Sequence, residues 1–391
     1  MSIGRAAIVT IVDDANFGNR LQNFALQTAL QSLGYEVETI RNVPPAMDRG
    51  MLASRAWKAL RKDGLVEFAR RNVRNLQRRR RSDKAPSGEQ SHPQAPQMAP
   101  HRREAAIAEF SRRHIVTTHD SYPDLAPEAW GAKYDVGVVG SDQVWNHGFR
   151  NAQEIDFLTF LPQDRRIAYA ASFGVHDIPE FLRARYAAWL DGIPHIGVRE
   201  QRGAEIVREL TGREVPVVVD PTLLFDGEQW RSFASIPPEP PQDRKGVQFF
   251  LGGGRPDQIA WVQRHAAAID VPLVDLSDTS IDEVAGLDPF GFVRTLSEAE
   301  FVATDSFHTA LFALQFQRPV IIRSRDETDS RLRTLLALHG IAVDATEVSG
   351  LFVMSSADWE QSSQLIAQHR EKSWGYLRAA VATAAGRDSA P

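Results

Sequence analysis

The chain of 391 residues contains no cysteine. This absence excludes disulfide bonds, thiolate metal sites and a cysteine nucleophile, and it is compatible with a reducing cytosol. Long apolar runs are also missing, since none reaches the ~18 residues that a membrane-spanning helix needs. Excess positive charge is missing too: 45 Lys and Arg stand against 50 Asp and Glu, so the whole chain gives no sign of nucleic-acid binding.

The first residues lack the layout of a secretion signal. The apolar run in MSIGRAAIVTIVDD is short and ends at Asp13 and Asp14. The scattered histidines form no metal-ligand spacing. We therefore expect a cytoplasmic protein with no metal and no cofactor.

The order of apolar segments indicates an α/β fold. AAIVTIV at 6–12 predicts a buried strand, LQNFALQTALQSLG at 21–34 a helix, and YEVETI at 35–40 the next strand. This βαβ opening is typical of parallel sheets. Further strands are predicted within 134–140, 247–254, 271–276, 301–308 and 319–324, a strand and a turn at 166–174 and at 195–200, and a strand followed by a proline-bearing turn at 215–224.

Proline-rich residues 237–246 predict a linker between two domains. We therefore expect two Rossmann-like domains facing a cleft, at 1–236 and 247–355. A long amphipathic helix at about 357–378, within the tail 356–391, is expected to cross back. Ligands of such sheets bind outside the carboxyl ends of the strands.

Residues 51–113 differ in composition from the rest of the chain. They hold sixteen Lys and Arg against six Asp and Glu, and 82–100 is rich in Pro, Gln and Ser. The simpler interpretation is a partly disordered insertion with a solvated basic face. The alternative is a patch that contacts an anionic lipid headgroup or a polyanionic acceptor.

A polar cluster stands where the strand at 301–308 is predicted to run into a helix. TDSFHTALFALQFQRPV (304–320) holds Asp305, Ser306 and His308 before a run of apolar residues. From these residues alone, a buried histidine bound by Asp305 is the simpler interpretation. The alternative is a proton donor, with Asp305 or Ser306 orienting the ring.

Five stretches together make the chain resemble the polysaccharide pyruvyl transferase family. They are NFGNRLQNFALQTAL (16–30), VVGSDQVWN (138–146), IAYAASFG (167–174), GVRE with VVVDPTLL (197–224) and VATDSFHTALFALQFQRPV (302–320). The resemblance implies a two-domain arrangement like that of GT-B glycosyltransferases. It also implies transfer of pyruvate from phosphoenolpyruvate to a sugar, usually as a cyclic ketal, with release of phosphate.

The resemblance assigns the general-acid role to His308 and makes the proton donor the favoured interpretation. The family often has glycine where Thr309 stands. Its related members hold the donor with a lysine, which is absent between Lys245 and Lys372. An arginine must replace it, because guanidinium groups bind carboxylate and phosphate in pairs of hydrogen bonds. The donor-binding candidates are Arg199, Arg323, Arg325, Arg331, Ser306 and Gly253.

The acceptor-side candidates belong to the first domain. Asp142 is the candidate base for the sugar hydroxyl, with a helix N-cap as its alternative role. Trp130 and Trp145 could stack on a sugar, although burial is the favoured interpretation, and His147 and His176 are weak further candidates. The residues expected to hydrogen-bond the sugar are Asn16, Arg20, Ser141 and Gln143.

Two other functions stay open. A nucleotide-sugar glycosyltransferase of the same fold requires a carboxylate for ribose, for which Glu327 or Asp329 is available. A non-catalytic sugar-binding protein is the third hypothesis. The expected partners are phosphoenolpyruvate and a saccharide, lipid-linked or free, with no nucleic acid. Peripheral membrane contact would run through 51–113.

Overall fold

The computed structural model describes residues 2–42, 99–238, 241, 243–323, 330–342 and 349–386. The described residues belong to one compact unit. It contains two β-sheets and the helices that cover them, which confirms the α/β class. No helix among these residues is both long and apolar enough to cross a bilayer.

The first sheet, sheet A, has six parallel strands in the order β3-β2-β1-β4-β5-β6. This is the strand order of the Rossmann fold, and its switch point lies between β1 and β4. Its strands run over Gly4–Val9 (β1), Tyr35–Asn42 (β2), Thr117–Tyr122 (β3), Val136–Val139 (β4), Arg166–Ala171 (β5) and His195–Val198 (β6).

The second sheet, sheet B, has five strands in the order β11-β10-β9-β7-β8. All neighbours are parallel except β11, which pairs antiparallel with β10. The parallel strands change direction of winding between β7 and β9, which is the switch point of this sheet. The strands are Gly246–Phe249 (β7), Leu273–Asp275 (β8), Val302–Thr304 (β9), Val320–Arg323 (β10) and Ser349–Phe352 (β11).

Thirteen α-helices are present among the described residues. They are α1 (Phe17–Ser32), α2 (Ala99–His114), α3 (Pro127–Gly131), α4 (His147–Arg150), α5 (Glu180–Asp191), α6 (Gln201–Thr211), α7 (Gly227–Phe233), α8 (Pro256–Ala268), α9 (Asp282–Ala285), α10 (Pro289–Ser297), α11 (Phe307–Gln315), α12 (Ser330–Leu338) and α13 (Ser356–Ala384). Short 3-10 turns cover Glu154–Phe157, Gln163–Arg165, Pro221–Leu224 and Leu251–Gly253.

Burial follows the apolar pattern of the chain. All four residues of β4, VGVV, are buried, as expected for a central strand covered on both faces. Helix α11 is buried along eight of its nine residues, because its sequence is apolar on every side. The helix that carries the polar corner at 304–308 is therefore a core element.

The long C-terminal helix α13 crosses back to sheet A, as predicted. The Tyr376 hydroxyl donates to the carbonyl of Ala168 in β5 (3.0 Å), and the Trp374 indole donates to the carbonyl of Leu224 (3.0 Å). The Tyr35 hydroxyl, in β2, donates to the carbonyl of Val381 (3.3 Å). The observed helix is longer than the predicted one: it runs from Ser356 to Ala384 instead of over about 357–378.

Two segments differ from the sequence prediction. The strand predicted within 215–224 is reduced to one isolated bridge between Val217 and Val198, while the predicted proline-bearing turn is present as a 3-10 turn that starts at Pro221. Within the basic stretch 51–113, residues 51–98 lie outside the described residues. Residues 99–113 form most of helix α2, whose Ile107 and Phe110 are buried, so this part belongs to the core.

The strands of the two sheets lie on either side of 237–246 in the sequence. The exact domain boundaries at 236 and 247 stay a prediction. What matters for function is that the switch point of each sheet is followed by polar turns. These are 10–20 and 140–146 after β1 and β4, and 250–254 and 305–308 after β7 and β9.

Candidate functional site

His308 lies at the start of α11, directly after the strand β9. Ser306 occupies the N-cap position of the helix, and the Ser306 backbone N–H donates to the Thr304 hydroxyl (2.9 Å). The His308 side chain packs against Gly18 at the start of α1. An ideal Cβ at Gly18 would stand 2.2 Å from His308 Nδ1. The starts of α1 and α11 approach so closely that position 18 requires glycine. This contact brings the switch point of sheet A next to that of sheet B.

A carboxylate of the first half of the chain faces the other nitrogen of this ring. His308 Nε2 is buried and lies 3.6 Å from Asp220 Oδ2. The same oxygen accepts hydrogen bonds from the Ser141 hydroxyl (3.0 Å) and from Arg199 Nη1 (3.0 Å). Asp220 Oδ1 accepts from the backbone and hydroxyl of Thr222. Asp220 is thus a fully buried centre that holds groups from three separate turns.

Asp142 is the second carboxylate of the cluster. Its Oδ2 accepts from Asn19 Nδ2 (3.0 Å), and its Oδ1 lies 3.7 Å from Arg199 Nη2. The residue has a φ of 64°, in the left-handed region that aspartate tolerates better than most residues. The neighbouring short helix α4 is capped by Asn146 instead. Asp142 therefore does not serve as a helix N-cap.

The pKa values of both carboxyl groups are lowered. Burial by itself raises the pKa of Asp220, but the charges of His308 and Arg199, with the hydrogen bonds they and Thr222 make, outweigh it. The pKa of Asp142 is lowered in the same way: the charges of Arg199 and His308 and a hydrogen bond from Asn19 exceed the effect of burial. Both groups are therefore carboxylates at neutral pH.

Two buried arginines surround these carboxylates. The Arg199 side chain is 2% exposed, and its guanidinium lies over the Phe307 ring at 4.5 Å from the centroid. Arg199 Nε and Nη2 and Arg20 Nη1 have no hydrogen-bond partner among the described residues. Burial lowers the pKa of Arg20 to about 10, opposed by the charges of Asp14, Asp13 and Asp142. Unsatisfied buried guanidinium donors are costly, and they suit a site whose anionic ligand supplies the missing acceptors.

Arg20 and Glu200 extend the network on either side. Arg20 donates to Asn19 Oδ1 and to the carbonyl of Ile11, and Asn19 bridges to Asp142. Glu200 Oε1 accepts from the Ser172 hydroxyl and the Phe173 amide, and so holds the turn after β5. Predicted site residues of four stretches are thus brought together: His308, Asp142, Arg199, Arg20 and Ser141.

Other predicted residues lie at the edge of sheet B. Gly253 is exposed, with a φ of 86°, in the 3-10 turn after β7. Asp305 Oδ1 accepts from the amide of Leu251 (2.8 Å), which ties the turn after β9 to this glycine turn. Arg323 ends β10, half-buried, with its guanidinium 4.7 Å from the centre of the Trp261 ring.

Arg331 lies on α12, one turn before Thr334. The hydroxyl of Thr334 accepts from the amide of Gln201, two residues after Arg199. Residues three apart share a helix face, so Arg331 stands on the side of α12 that meets this turn. Arg325, Glu327 and Asp329 lie outside the described residues.

Several candidates have local structural partners. Asn16 is exposed and caps α1 by accepting from the amide of Asn19 (3.1 Å). Gln143 accepts from Asn146 and packs against Gly174. Trp130 and Trp145 are fully buried, which confirms the interpretation of both as core residues. His176 is exposed and His147 is half-buried.

Asp220 and Asn19 are functional candidates that the sequence analysis did not select. Asp220 follows the apolar run VVV and precedes a proline, which is the same signal of a polar residue after a strand that singled out Asp142. Asn19 stands inside NFGNR, between two residues that were considered. The described residues contain no group of three or more His, Asp or Glu arranged to hold a metal ion.

The family model described as polysaccharide pyruvyl transferase matches residues 16–327. No curated protein matches the chain. Among solved structures, the chain is similar to a putative UDP-N-acetylglucosamine 2-epimerase from Listeria monocytogenes, with 10% identity and a TM-score of 0.44, over 99% of this chain and 95% of that chain. It is also similar to the glycosyltransferase SnogD from Streptomyces nogalater, with 14% identity and a TM-score of 0.37, over 97% of this chain and 100% of that chain.

Proposed function

The chain belongs to the polysaccharide pyruvyl transferase family, and from this premise we propose that it transfers the pyruvate moiety of phosphoenolpyruvate to a sugar of a glycan or lipid-linked saccharide. The product would be a ketal across two hydroxyls, with phosphate released. One observation supports this most: the buried His308 ring, held between Asp220 and Gly18 at the start of α11.

The proposed chemistry starts with a proton on His308. Nε2 is buried beside Asp220, so Nδ1, on the Gly18 side, is the nitrogen for proton exchange with substrate. Protonation of the methylene carbon gives a methyl group and makes the neighbouring carbon oxocarbenium-like. A sugar hydroxyl attacks that carbon, phosphate departs, and a second hydroxyl closes the ketal. The hydroxyl proton that Asp142 takes up returns to the ring and restores its protonated form, and the other hydroxyl proton leaves with phosphate.

The donor needs cations for its carboxylate and phosphate. Within the described residues, two nitrogens of Arg199 make no hydrogen bond, although each lies within 4.0 Å of a carboxylate. Arg331 stands on the helix face next to Arg199. We propose that Arg323, Ser306 and the glycine turn at Gly253 contact the phosphate from the sheet B side. The first amides of α11 add to this, because the N-terminus of a helix favours anions.

The acceptor hydroxyl would meet the sheet A side. The side chain of Asp142 is 14% exposed. We propose that this carboxylate accepts the hydroxyl proton as the new bond forms. Arg20 and Ser141 position the two carboxylates, while Asn16 and Gln143 lie on the same turns and remain our candidates for sugar contacts. A membrane-surface acceptor, reached through 51–113 of a cytoplasmic enzyme, is part of the proposal.

The test is phosphate release from phosphoenolpyruvate, measured with a panel of saccharide acceptors. His308→Asn should reduce acceptor-dependent release by about 10²–10⁴-fold, the usual contribution of a general acid. His119→Asn is the matched control, since His119 is fully exposed in β3. Both variants should keep the wild-type melting temperature within a few degrees.

Ligand-induced stabilisation separates the competing functions. Phosphoenolpyruvate should raise the melting temperature, and nucleotides should not. Stabilisation by a nucleoside diphosphate, without release of phosphate from phosphoenolpyruvate, would replace this proposal with a nucleotide-sugar glycosyltransferase. Release that is equal in wild type and His308→Asn would remove the general-acid role alone.

A further inference from the structure

A second cavity opens at the opposite end of α11. It has a volume of about 440 Å³ and lies among the end of α11, the start of α7, the residue after α12 and the first half of α13. Helix α11 has nine residues, so at about 1.5 Å per residue its ends are roughly 13 Å apart. The lining residues used below are Arg231, Arg318, Arg370, His339, Ser362 and Gln315.

The cavity lining holds three half-buried arginines and two carboxylates, and Arg231 pairs with Glu228 at 3.5 Å. Burial lowers the pKa of Arg318, and the like charges of Arg244 and Arg231 lower it further, with only Glu300 acting in the opposite direction. In the part of the chain that the structure describes, Arg318 Nε has no hydrogen-bond partner. No ion pair of Arg318 is found within the described part of the chain. A half-buried guanidinium with like-charged neighbours and no ion pair can be stabilised by a bound anion.

His339 adds a buried donor to the same lining. The residue is 4% exposed, Nδ1 lies 2.8 Å from the Ser362 hydroxyl, and Nε2 has no hydrogen-bond partner within the described residues. Burial first, and then the charges of Arg370 and His369, lower the pKa of His339 to about 4, so the ring is neutral at pH 7. In the tautomer in which the Ser362 hydroxyl donates to Nδ1, Nε2 carries a hydrogen that an oxyanion can accept.

The rest of the lining is suited to hydroxyl groups. Gln315 and Gln317 provide amides, Ser363 provides a hydroxyl, and Asp226 and Glu228 provide carboxylate oxygens. The cavity is also too large for a bare phosphate ion. Arginines with a neutral imidazole on one part of the wall, and hydroxyl-binding groups on another, match a ligand with both kinds of group.

We propose that this cavity binds a phosphate monoester of a polyhydroxylated small molecule, at a site separate from the His308 cluster. The phosphate would lie against Arg318, Arg231 and His339, and the hydroxyl groups against the amides and carboxylates. This site does not depend on the proposed pyruvyl transfer.

The experiment uses inorganic phosphate, glucose 6-phosphate and glucose as probes of the full chain. The His339 ring resonance, identified by its loss in His339→Gln, reports on this cavity and not on the His308 site. Glucose 6-phosphate should shift this resonance saturably, with a higher affinity than phosphate. Glucose should not shift it. Arg318→Gln should weaken binding about tenfold or more, the effect of losing one charge-assisted hydrogen bond.

Arg208→Gln is the matched control, because Arg208 is an exposed arginine on α6, outside the cavity. It should leave the affinity unchanged. An absent or unsaturable shift of His339 with every probe would overturn the proposal. Equal affinities in Arg318→Gln and wild type would do the same. Equal affinities for phosphate and glucose 6-phosphate would contradict the part that assigns a polyhydroxylated body to the ligand.

Discussion

The two ends of helix α11 each meet a buried histidine, but the charges around the two rings are opposite. At the N-terminal end, His308 is 8% exposed and faces Asp220, with Asp142 close by. At the C-terminal end, His339 is 4% exposed and has Arg370 and His369 as its charged neighbours. The same side chain at similar burial is thus placed in two different electrostatic settings.

The difference shows that burial alone does not define the role of a histidine. Carboxylates beside His308 make a network in which a proton on the ring has counter-charges, as proton transfer requires. Burial first, and then the charges of Arg370 and His369, lower the pKa of His339 and keep that ring neutral, which leaves it as a hydrogen-bonding group. Proton transfer is therefore expected at one end of the helix, and binding at the other.

The largest expected difference between the ends concerns their carboxylates. Asp220→Asn should lower the free energy of unfolding by about 3–5 kcal/mol, because it leaves buried Arg199 without its bonded counter-charge. Asp226→Asn, at the cavity end, should change it by less than ~0.5 kcal/mol, because Asn caps helix α7 as well as Asp does. Urea unfolding measures both, and equal losses would contradict the comparison.

A methyl group at Gly18 tests the packing at the His308 end. Gly18→Ala should reduce acceptor-dependent phosphate release by about 100-fold, because the ring must move away from the new Cβ. Gly375→Ala is the matched control: it lies within helix α13, and its Cβ would contact nothing within 4 Å. Activity of Gly18→Ala near the wild-type level would mean that the position of the His308 ring does not matter.

The pH dependence of stability should differ between the ends. The folded pKa of His339, about 4, lies below the unfolded value of ~6.5, so the unfolded chain binds the proton first. Stability should therefore fall by about 2 kcal/mol between pH 7 and 4.5, and this fall should be absent in His339→Gln. The lowered pKa of Asp220 affects stability at lower pH: the stability that it contributes is complete above about pH 4 and is lost as the pH falls below that value.

Urea unfolding of wild type and His339→Gln at both pH values measures this effect. The comparison uses the slope with pH and not the absolute stability, because the substitution also changes packing. Parallel losses in the two proteins would show that His339 does not titrate as its surroundings require.

The smallest effect is expected for the arginine of the cavity. Arg318→Gln should leave the free energy of unfolding within ~0.5 kcal/mol of wild type, because the substitution removes a charge that Arg231 and Arg244 repel. Arg199→Gln, at the other end, should cost several times more because Arg199 is bonded to buried Asp220. A loss above ~1 kcal/mol for Arg318→Gln, measured by urea unfolding, would assign it a structural role.

The sequence was most informative where apolar periodicity is strong. It predicted β1, α1, β2 and the long α13, because burial of an apolar face requires a regular pattern. It did not predict β3 or β11, which are short edge strands of mixed composition. It also predicted a strand before the turn at Pro221; the turn is present, but the strand is reduced to a single bridge.

The candidate site was predicted in part for a similar reason. Polar residues directly after strands pointed to Asp142, Arg199 and His308, because the carboxyl ends of parallel strands carry ligand sites. The partner of His308 could not be selected in this way. The sequence suggested Asp305, three residues away, whereas the carboxylate facing Nε2 belongs to Asp220, 88 positions earlier in the chain.

The sequence by itself determined that this is an α/β protein with parallel sheets, a buried helix after 306 and a polar corner at its start. These features depend on local patterns of apolar and polar residues. Only the tertiary structure decided that Gly18 and Asp220 meet His308, and that arginines from α7 and α13 converge with Arg318 and His339. Such contacts join residues far apart in the chain, and no local pattern records which ones the packing of the helices brings together.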